Sequence, residues 1–358
     1  MKIVIDCRHL DFSGIGVLIR GCLPYFLDSD NFFYLIGNPA KLDAFIAGRK
    51  NVNVLDYCRR PFSFAELFFF PRNYLRIINK SDLFFSPYFN IPFGIKVPVY
   101  TTIHDIIFPD MPELISLLGL KIRMLFYKRA FTRSKKIFTV SEFSKSRIEH
   151  YSRRKTPVIV TYSAIQSWIP EWNKSGIVKN KTIVFIGNIK KHKGLDYLLK
   201  AFLLARAEGL TYQLVIIGSS RDNFRTYDKT FLEKIYDIAP DVVSFCDFIS
   251  DEKLAEYLAS AALLVQPSLY EGFGLPPLEA MVLGTQALVS DIPAFREIYD
   301  GFPVVFFRSG DHMDLKKKLM ELLAGKPFRT ISLPEHLLSK YSFQKTASII
   351  LENLSAKK

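Results

Sequence analysis

PSLYEGFGLPPLEAMVLGTQAL, residues Pro267–Leu288, is the stretch on which the reading of this chain turns. The apolar run Ala261–Val265 ahead of it has the length and residue types of a buried strand, which Pro267 and Ser268 end. Gly272 and Gly274, on either side of Phe273, let the backbone bring N–H groups close to a ligand. Pro276 and Pro277 suit the first turn of a helix, where no N–H partner is lost, and Leu278 to Leu283 continue it. Strand, glycine loop and helix start, in that order, make a site for anionic groups such as phosphate. Glu271 falls in that loop and Glu279 in the first helical turn. Two carboxylates beside an anion site are costly unless hydroxyls or cations meet them. A sugar nucleotide answers both needs, with phosphates for the backbone donors and sugar and ribose hydroxyls for the carboxylates. A strand-to-helix connection carrying two surface glutamates is the plainer alternative.

The segment resembles the signature of the retaining glycosyltransferases of family 4. Glu271 and Glu279 match its Glu-x7-Glu pattern, with the Gly-Phe-Gly-Leu-Pro-Pro-Leu-Glu-Ala core intact. The resemblance implies that Glu271 lies by the hydroxyls of the transferred sugar. It also implies that the amides of Gly272, Phe273, Gly274 and Leu275 bind sugar and phosphate, and that Glu279 accepts hydrogen bonds from the nucleotide ribose.

A chain of 358 residues is too long for one ordinary core and long enough for two α/β domains. The net charge of +13 favours polyanionic partners without choosing among nucleic acid, anionic lipid and a phosphorylated substrate. Cys7, Cys22, Cys58 and Cys246 contain no CxxC pair, which speaks against metal and disulfide readings and for a reducing compartment. Met1 to Ile5 meets Asp6 and Arg8 before an apolar core of signal-peptide length develops, and no run approaches the ~20 apolar residues that cross a bilayer. The expected location is cytoplasmic, with attachment at a membrane surface as the alternative.

Ile3–Ile5 reads as a buried strand and Asp11–Gly16 as a turn holding Gly14 and Gly16 before the apolar Val17, Leu18, Leu23 and Phe26. This is the opening of a Rossmann-like unit, although Ile19 stands where a dinucleotide fingerprint needs its third glycine. Further strands are expected at Phe33–Ile36, Val52–Leu55, Leu83–Phe85, Val97–Thr101 and Ile137–Val140, giving a parallel sheet covered on both faces. Asp28-Ser29-Asp30 reads as a solvated turn better than as a metal-binding DxD. Thr101-Thr102-Ile103-His104-Asp105 ends a strand in an imidazole at the carboxyl edge of the sheet, where doubly wound folds bind ligands. Asp105 and Ser141 are explained by turn and helix capping. The resemblance implies that Gly14 and Gly16 face the donor and that His104 contacts the donor sugar.

Two stretches mix basic and aromatic residues. Arg59–Lys80 interleaves Phe62, Phe64, Phe68, Phe69, Phe70 and Tyr74 with Arg59, Arg60, Arg72, Arg76 and Lys80; Lys121–Lys136 joins Lys121, Arg123, Lys128, Arg129, Arg133, Lys135 and Lys136 to Ile122, Leu125, Phe126 and Phe131. An amphipathic helix explains the second, whereas the first has more phenylalanines than one buried stripe needs and reads as an acceptor or anionic membrane surface. Nucleic acid is not an expected partner, because no recognised binding module accompanies the charge.

Thr161–Lys181, with Trp168, Pro170, Trp172 and Gly176, reads as a linker, and Tyr162-Ser163-Ala164 stands where family 4 more usually has an Asn-Gly turn. Thr182–Ile186 then opens a second strand-loop-helix unit with Gly187, Asn188 and Lys193-Gly194 before the periodic Leu195, Leu198, Leu199 and Phe202. A lysine beside a helix N-terminus suits a diphosphate leaving group, and Lys193 resembles the lysine that serves this role in the family. Gly187 and Asn188 join the donor loop on the same resemblance, though many members have Arg or Thr where this chain has Asn188. Strands are expected at Leu214–Ile217, before Gly218-Ser219-Ser220, and at Val242–Phe245, Leu263–Val265 and Ala287–Ser290. Glu297 is a weaker candidate as an acid–base partner of Glu271.

The expectation is therefore an α/β chain of the GT-B type, two Rossmann-like domains facing a central cleft. Residues 1–165 would form the acceptor domain, 166–340 the nucleotide-sugar domain, and 341–358 a helix crossing back to the first. The implied activity is retaining transfer of a sugar, with GDP-mannose as donor, to a glycan or lipid-linked glycan of lipopolysaccharide or capsule. No metal or cofactor is implied. A nucleotide-sugar epimerase or hydrolase, and a non-catalytic subunit, are the alternatives.

Overall fold

The computed structural model describes all residues except 12, 60, 62–67, 154–155, 167, 173–175, 219–240, 248, 334 and 356–358. Phe62, Phe64, Ser219 and Ser220 thus lie outside the described residues. The chain divides into two compact units, Met1–Gln166 with Lys340–Lys358, and Ser167–Ser339.

In the first unit, seven parallel strands run β1 (Lys2–Asp6), β2 (Phe32–Gly37), β3 (Val52–Asp56), β4 (Leu83–Ser86), β5 (Val99–Thr102), β6 (Ser134–Thr139) and β7 (Val158–Val160). They are ordered β3-β2-β1-β4-β5-β6-β7. The central strands are near-continuous apolar runs because helices cover both faces; β4 and β5 are buried at every position. On one face the helix Ser13–Leu27 places Leu18, Cys22, Leu23 and Phe26 in a core shared with Phe343, Ala347, Ile350 and Leu354 of the last helix, Phe343–Ser355. On the other, Leu117–Arg133 buries Phe126, Tyr127, Ala130 and Phe131. Ser141 caps Glu142–Tyr151 by accepting from the Ser144 amide at 3.0 Å, as its position after a strand suggests.

The glycine turn expected at Asp11–Gly16 needs correction. The helix begins at Ser13, so Gly14 and Gly16 lie in its first turns, and neither takes a positive φ. Gly16 is a packing position: a Cβ there would come within 2.3 Å of the Leu10 carbonyl oxygen. Asp28-Ser29-Asp30 is the expected turn at the end of this helix, with Asp28 paired to Arg49 at 2.5 Å. Tyr162 supplies a left-handed backbone, at φ +57°, in the segment where this chain departs from the Asn-Gly turn usual in the family it resembles. Phe70 belongs to the core, while Phe68 and Phe69 are exposed.

In the second unit, parallel strands β8 (Thr182–Ile186), β9 (Gln213–Ile217), β10 (Val243–Cys246), β11 (Leu263–Gln266), β12 (Gln286–Ser290) and β13 (Val305–Phe307) are ordered β10-β9-β8-β11-β12-β13. Leu195–Ala207 and His312–Leu323 bury Leu198, Phe202, Leu315 and Leu319 against one face. Both sheets share the doubly wound order in which the first strand lies between the second and the fourth. The direction in which successive strands are added therefore reverses between β1 and β4 in one unit, and between β8 and β11 in the other. Ligands of doubly wound sheets bind outside such switch points.

Candidate functional site

At the second switch point, two loops leave β8 and β11 side by side. The β8 loop carries Gly187 and Asn188, then a 3-10 turn over Lys191–Lys193, then Leu195–Ala207, whose N-cap Gly194 supplies no side-chain hydrogen bond. That helix begins after β8 with a lysine directly before its N-cap, an arrangement suited to an anion. The β11 loop runs from Pro267 into the helix Pro276–Val282, where two prolines occupy the first positions as the sequence suggests.

The loops are fastened by backbone contacts. The Leu269 amide donates to the His192 carbonyl at 2.7 Å. Gly194 takes φ +67°, and a Cβ on it would stand 2.0 Å from the Pro267 carbonyl oxygen, so only glycine admits this approach. Gly274, at φ +84°, is constrained likewise, because a Cβ would lie 2.4 Å from the Phe295 ring. Tyr299 donates its hydroxyl to the Gly274 carbonyl and fixes the loop from below.

This fastening brings Lys193 Nζ to 2.7 Å from Glu271 Oε1, an ion pair 22% and 10% exposed. Ser268 Oγ donates to the same oxygen at 2.8 Å, and Gln266 Nε2 donates to Ser268 Oγ at 3.0 Å. Glu279 lies in the first turn of the following helix and is buried. Burial first, and the Lys193 charge next, push the His192 imidazole down to about 4, with Glu271 opposing. His192 is therefore neutral at pH 7. Gly187, Asn188, Lys193, Glu271, Gly272, Phe273, Gly274, Leu275 and Glu279 all follow β8 or β11, at one edge of one sheet.

Gly14, Gly16 and His104 belong to the first unit. His104 follows β5 at the carboxyl edge, with Nε2 3.0 Å from the Pro87 carbonyl. Since a carbonyl only accepts, Nε2 carries the proton and Nδ1 of the neutral ring remains an acceptor. Burial lowers the His104 pKa, opposed by the Pro87 hydrogen bond and Asp105. Asp105 Oδ1 accepts from the Ile107 amide at 3.2 Å, a turn cap as its sequence context suggests.

Sequence reasoning missed Gln266, Ser268 and His192 as members of this site, and one cluster altogether. At the first switch point Arg8 is bidentate to Asp6, at 2.8 and 2.5 Å, and Tyr88 donates to Asp6 Oδ2 at 2.5 Å. The guanidinium also lies 5.2 Å from the Tyr57 ring centroid and 5.7 Å from that of Phe70. Burial raises the Asp6 pKa, but the Arg8 charge and the hydrogen bonds from Arg8 and Tyr88 outweigh it and hold the carboxyl below its usual range. An Asp ending an apolar strand with an Arg two residues on was the available signal.

Residues 170–332 match the family of glycosyl transferases group 1. That match takes in most of the second unit, Ser167–Ser339. O-antigen chain mannosyltransferase B of Escherichia coli is 28% identical over 236 residues, which is 61% of this chain and 59% of that protein. O-antigen chain mannosyltransferase RfbU of Salmonella typhimurium is 29% identical over 177 residues, 48% of this chain and 46% of its own length. These alignments therefore span only about half of each curated relative. HepE of Anabaena, solved with UDP and glucose, superimposes with a TM-score of 0.70 at 17% identity, covering 99% of both chains. Sucrose-phosphate synthase of Thermosynechococcus elongatus gives 0.71 at 14% identity, covering 99% of this chain and 98% of its own. At such identities the likeness speaks for the fold alone, and that fold is GT-B: two Rossmann-like units, each on a parallel sheet.

Proposed function

We propose that the protein is a retaining glycosyltransferase that moves a sugar from a nucleoside diphosphate sugar to a glycan or lipid-linked glycan in bacterial surface-polysaccharide synthesis, with GDP-mannose as donor. The observation that carries this is the Lys193–Glu271 pair at the switch point of the unit that matches the group 1 glycosyl transferases. The mannosyltransferase names of the relatives support the donor and the pathway.

Lys193 and the start of Leu195–Ala207 receive the diphosphate, whose charge grows as the glycosidic C–O bond breaks and its electron pair leaves with the phosphate. Glu271 faces the sugar, where a carboxylate stabilises positive character at the anomeric carbon. Glu279 holds the ribose. The acceptor oxygen bonds to the anomeric carbon and its proton leaves with the diphosphate. His104, neutral and with Nδ1 free to accept in this tautomer, is the first-unit residue whose loss should reduce transfer.

An acceptor or anionic membrane surface on the first unit is part of the same proposal. Phe68 and Phe69 are exposed, Phe68 stacks on the exposed Phe93 at 4.9 Å, and Leu117, Leu118 and Leu125 are exposed on the helix that carries Lys121 and Lys128. Apolar side chains between lysines suit an anionic lipid interface. Among the described residues no helix is long and apolar enough to cross a membrane.

Incubation with a panel of nucleotide sugars, with and without a lipid-linked glycan acceptor, tests the proposal. GDP-mannose should be consumed and mannose transferred only when acceptor is present. Sugar release or epimerisation without acceptor would favour a hydrolase or epimerase, and binding without turnover a non-catalytic subunit.

A further inference from the structure

Both hydrogen bonds that hold Glu271 fall on Oε1, one from Lys193 Nζ and one from Ser268 Oγ. If Lys193 turns to a diphosphate, Ser268 is the partner that remains. Its own orientation is determined one residue further back. Gln266 ends β11, is 1% exposed, and gives Nε2 to Ser268 Oγ at 3.0 Å. An amide nitrogen can only donate, so Ser268 Oγ must accept there and send its single proton to Glu271. Ser290 donates its hydroxyl to the Ser268 carbonyl and pins the backbone beneath. The arrangement has a cost, for Gln266 Oε1 is buried with no hydrogen-bond partner. An unsatisfied buried acceptor costs stability, which an apolar residue at the end of an apolar strand would avoid. Reversing the amide would draw the Ser268 proton away from Glu271.

We propose that Gln266 and Ser268 form a one-way hydrogen-bond chain that keeps Glu271 Oε1 in place while Lys193 is exchanged from Glu271 to the donor's diphosphate. Gln266 is thus a positioning residue, acting through Ser268. The inference rests on the sugar-transfer reading for its consequence in turnover, but the exchange of Lys193 between two anions has a consequence without turnover. Removing the Ser268 hydrogen bond leaves the Glu271 charge less satisfied, so Glu271 holds Lys193 more tightly against an incoming diphosphate.

Wild type, Ser268→Ala, Gln266→Leu and the double variant should be compared in two assays. In mannosyl transfer from GDP-mannose, each single variant is expected to lose about tenfold in kcat, the worth of one such hydrogen bond, with the donor KM raised by no more than about threefold. The double variant should be no slower than Ser268→Ala, because a chain breaks only once. In calorimetry with inorganic pyrophosphate, all three variants should share one affinity, about threefold weaker than wild type. Losses that multiply in the double variant, or wild-type values in Gln266→Leu, overturn the proposal in either assay. Gln266→Met, close in volume but without the donor, should match Gln266→Leu; wild-type behaviour in it would show that shape alone matters. Absence of transfer by the wild type with every donor defeats the functional reading, and the pyrophosphate series then decides the chain.

Discussion

The two units repeat one strand order, and each puts a charged pair at its switch point, yet the pairs differ in kind. At the first, Arg8 and Asp6 are 1% and 0% exposed, clamped bidentately and enclosed by Tyr88, Tyr57 and Phe70. At the second, Lys193 and Glu271 are 22% and 10% exposed and meet through one contact, on one carboxylate oxygen. A ligand cannot compete for the first pair without opening the core. For the second, a diphosphate need only offer Lys193 more charge than Glu271 does. Under the proposed function, the same topology thus yields a structural bond in one unit and an exchangeable one in the other. Burial and denticity, rather than the presence of a salt bridge, separate the two.

Removing Glu271 gives the largest expected effect. Glu271→Ala should lower transfer by at least ~10³-fold, as loss of a preorganised electrostatic group does, while unfolding in urea changes by no more than about 1 kcal/mol. Activity within tenfold of wild type would remove Glu271 from the chemistry and erase the contrast between the units.

Asp6→Ala probes the other side. Leaving the Arg8 charge buried without its carboxylate should cost about 3–5 kcal/mol of stability by urea unfolding, several times the cost of Glu271→Ala. Equal losses in the two variants would mean that both pairs are structural.

Lys193→Ala sharpens the exchange argument. GDP affinity, by calorimetry, should fall by about 10- to 100-fold, the worth of a charge-assisted contact to phosphate. Glu271→Gln should move the other way, because Lys193 is then released before the diphosphate arrives. Unchanged affinity in both would place the diphosphate elsewhere.

The parts of this architecture that sequence could reveal are those written in continuous runs. β8 is expected at Thr182–Ile186 and lies there, a short run of β-branched and aromatic residues whose middle three, Ile183, Val184 and Phe185, are buried. The Val158–Val160 and Val305–Phe307 strands were missed, because three residues at a sheet edge carry too short a pattern. Gly14 and Gly16 were read as a turn because glycine usually marks one; that the Leu10 carbonyl would press on Gly16 is a tertiary fact. Glu271 was legible through its loop, and Lys193 through the helix it precedes. The role of Ser268 is not legible, because it depends on which way one hydroxyl proton points, and in sequence Asp6 and Arg8 are only charges that interrupt an apolar start.

The smallest expected effect concerns protonation, and it too divides the units. His192 is held down at about 4 by burial and by Lys193, with Glu271 opposing. Above about pH 6.5 the ring is neutral in the folded and unfolded chain alike, and its contribution is fully present. Below that, the unfolded chain takes up a proton that the folded chain refuses, so stability falls as pH drops toward 4, by ~1.4 kcal/mol per pH unit at most. Between pH 7 and pH 5, His192→Asn should therefore lose less stability in urea than wild type, by ~2 kcal/mol. In the first unit, burial lowers the His104 pKa as well, but the Pro87 carbonyl and Asp105 both favour its charged form. His104→Asn should flatten the same pH profile less than His192→Asn does. Equal flattening would mean that the two histidines are held down by burial to the same degree, whatever their charged neighbours.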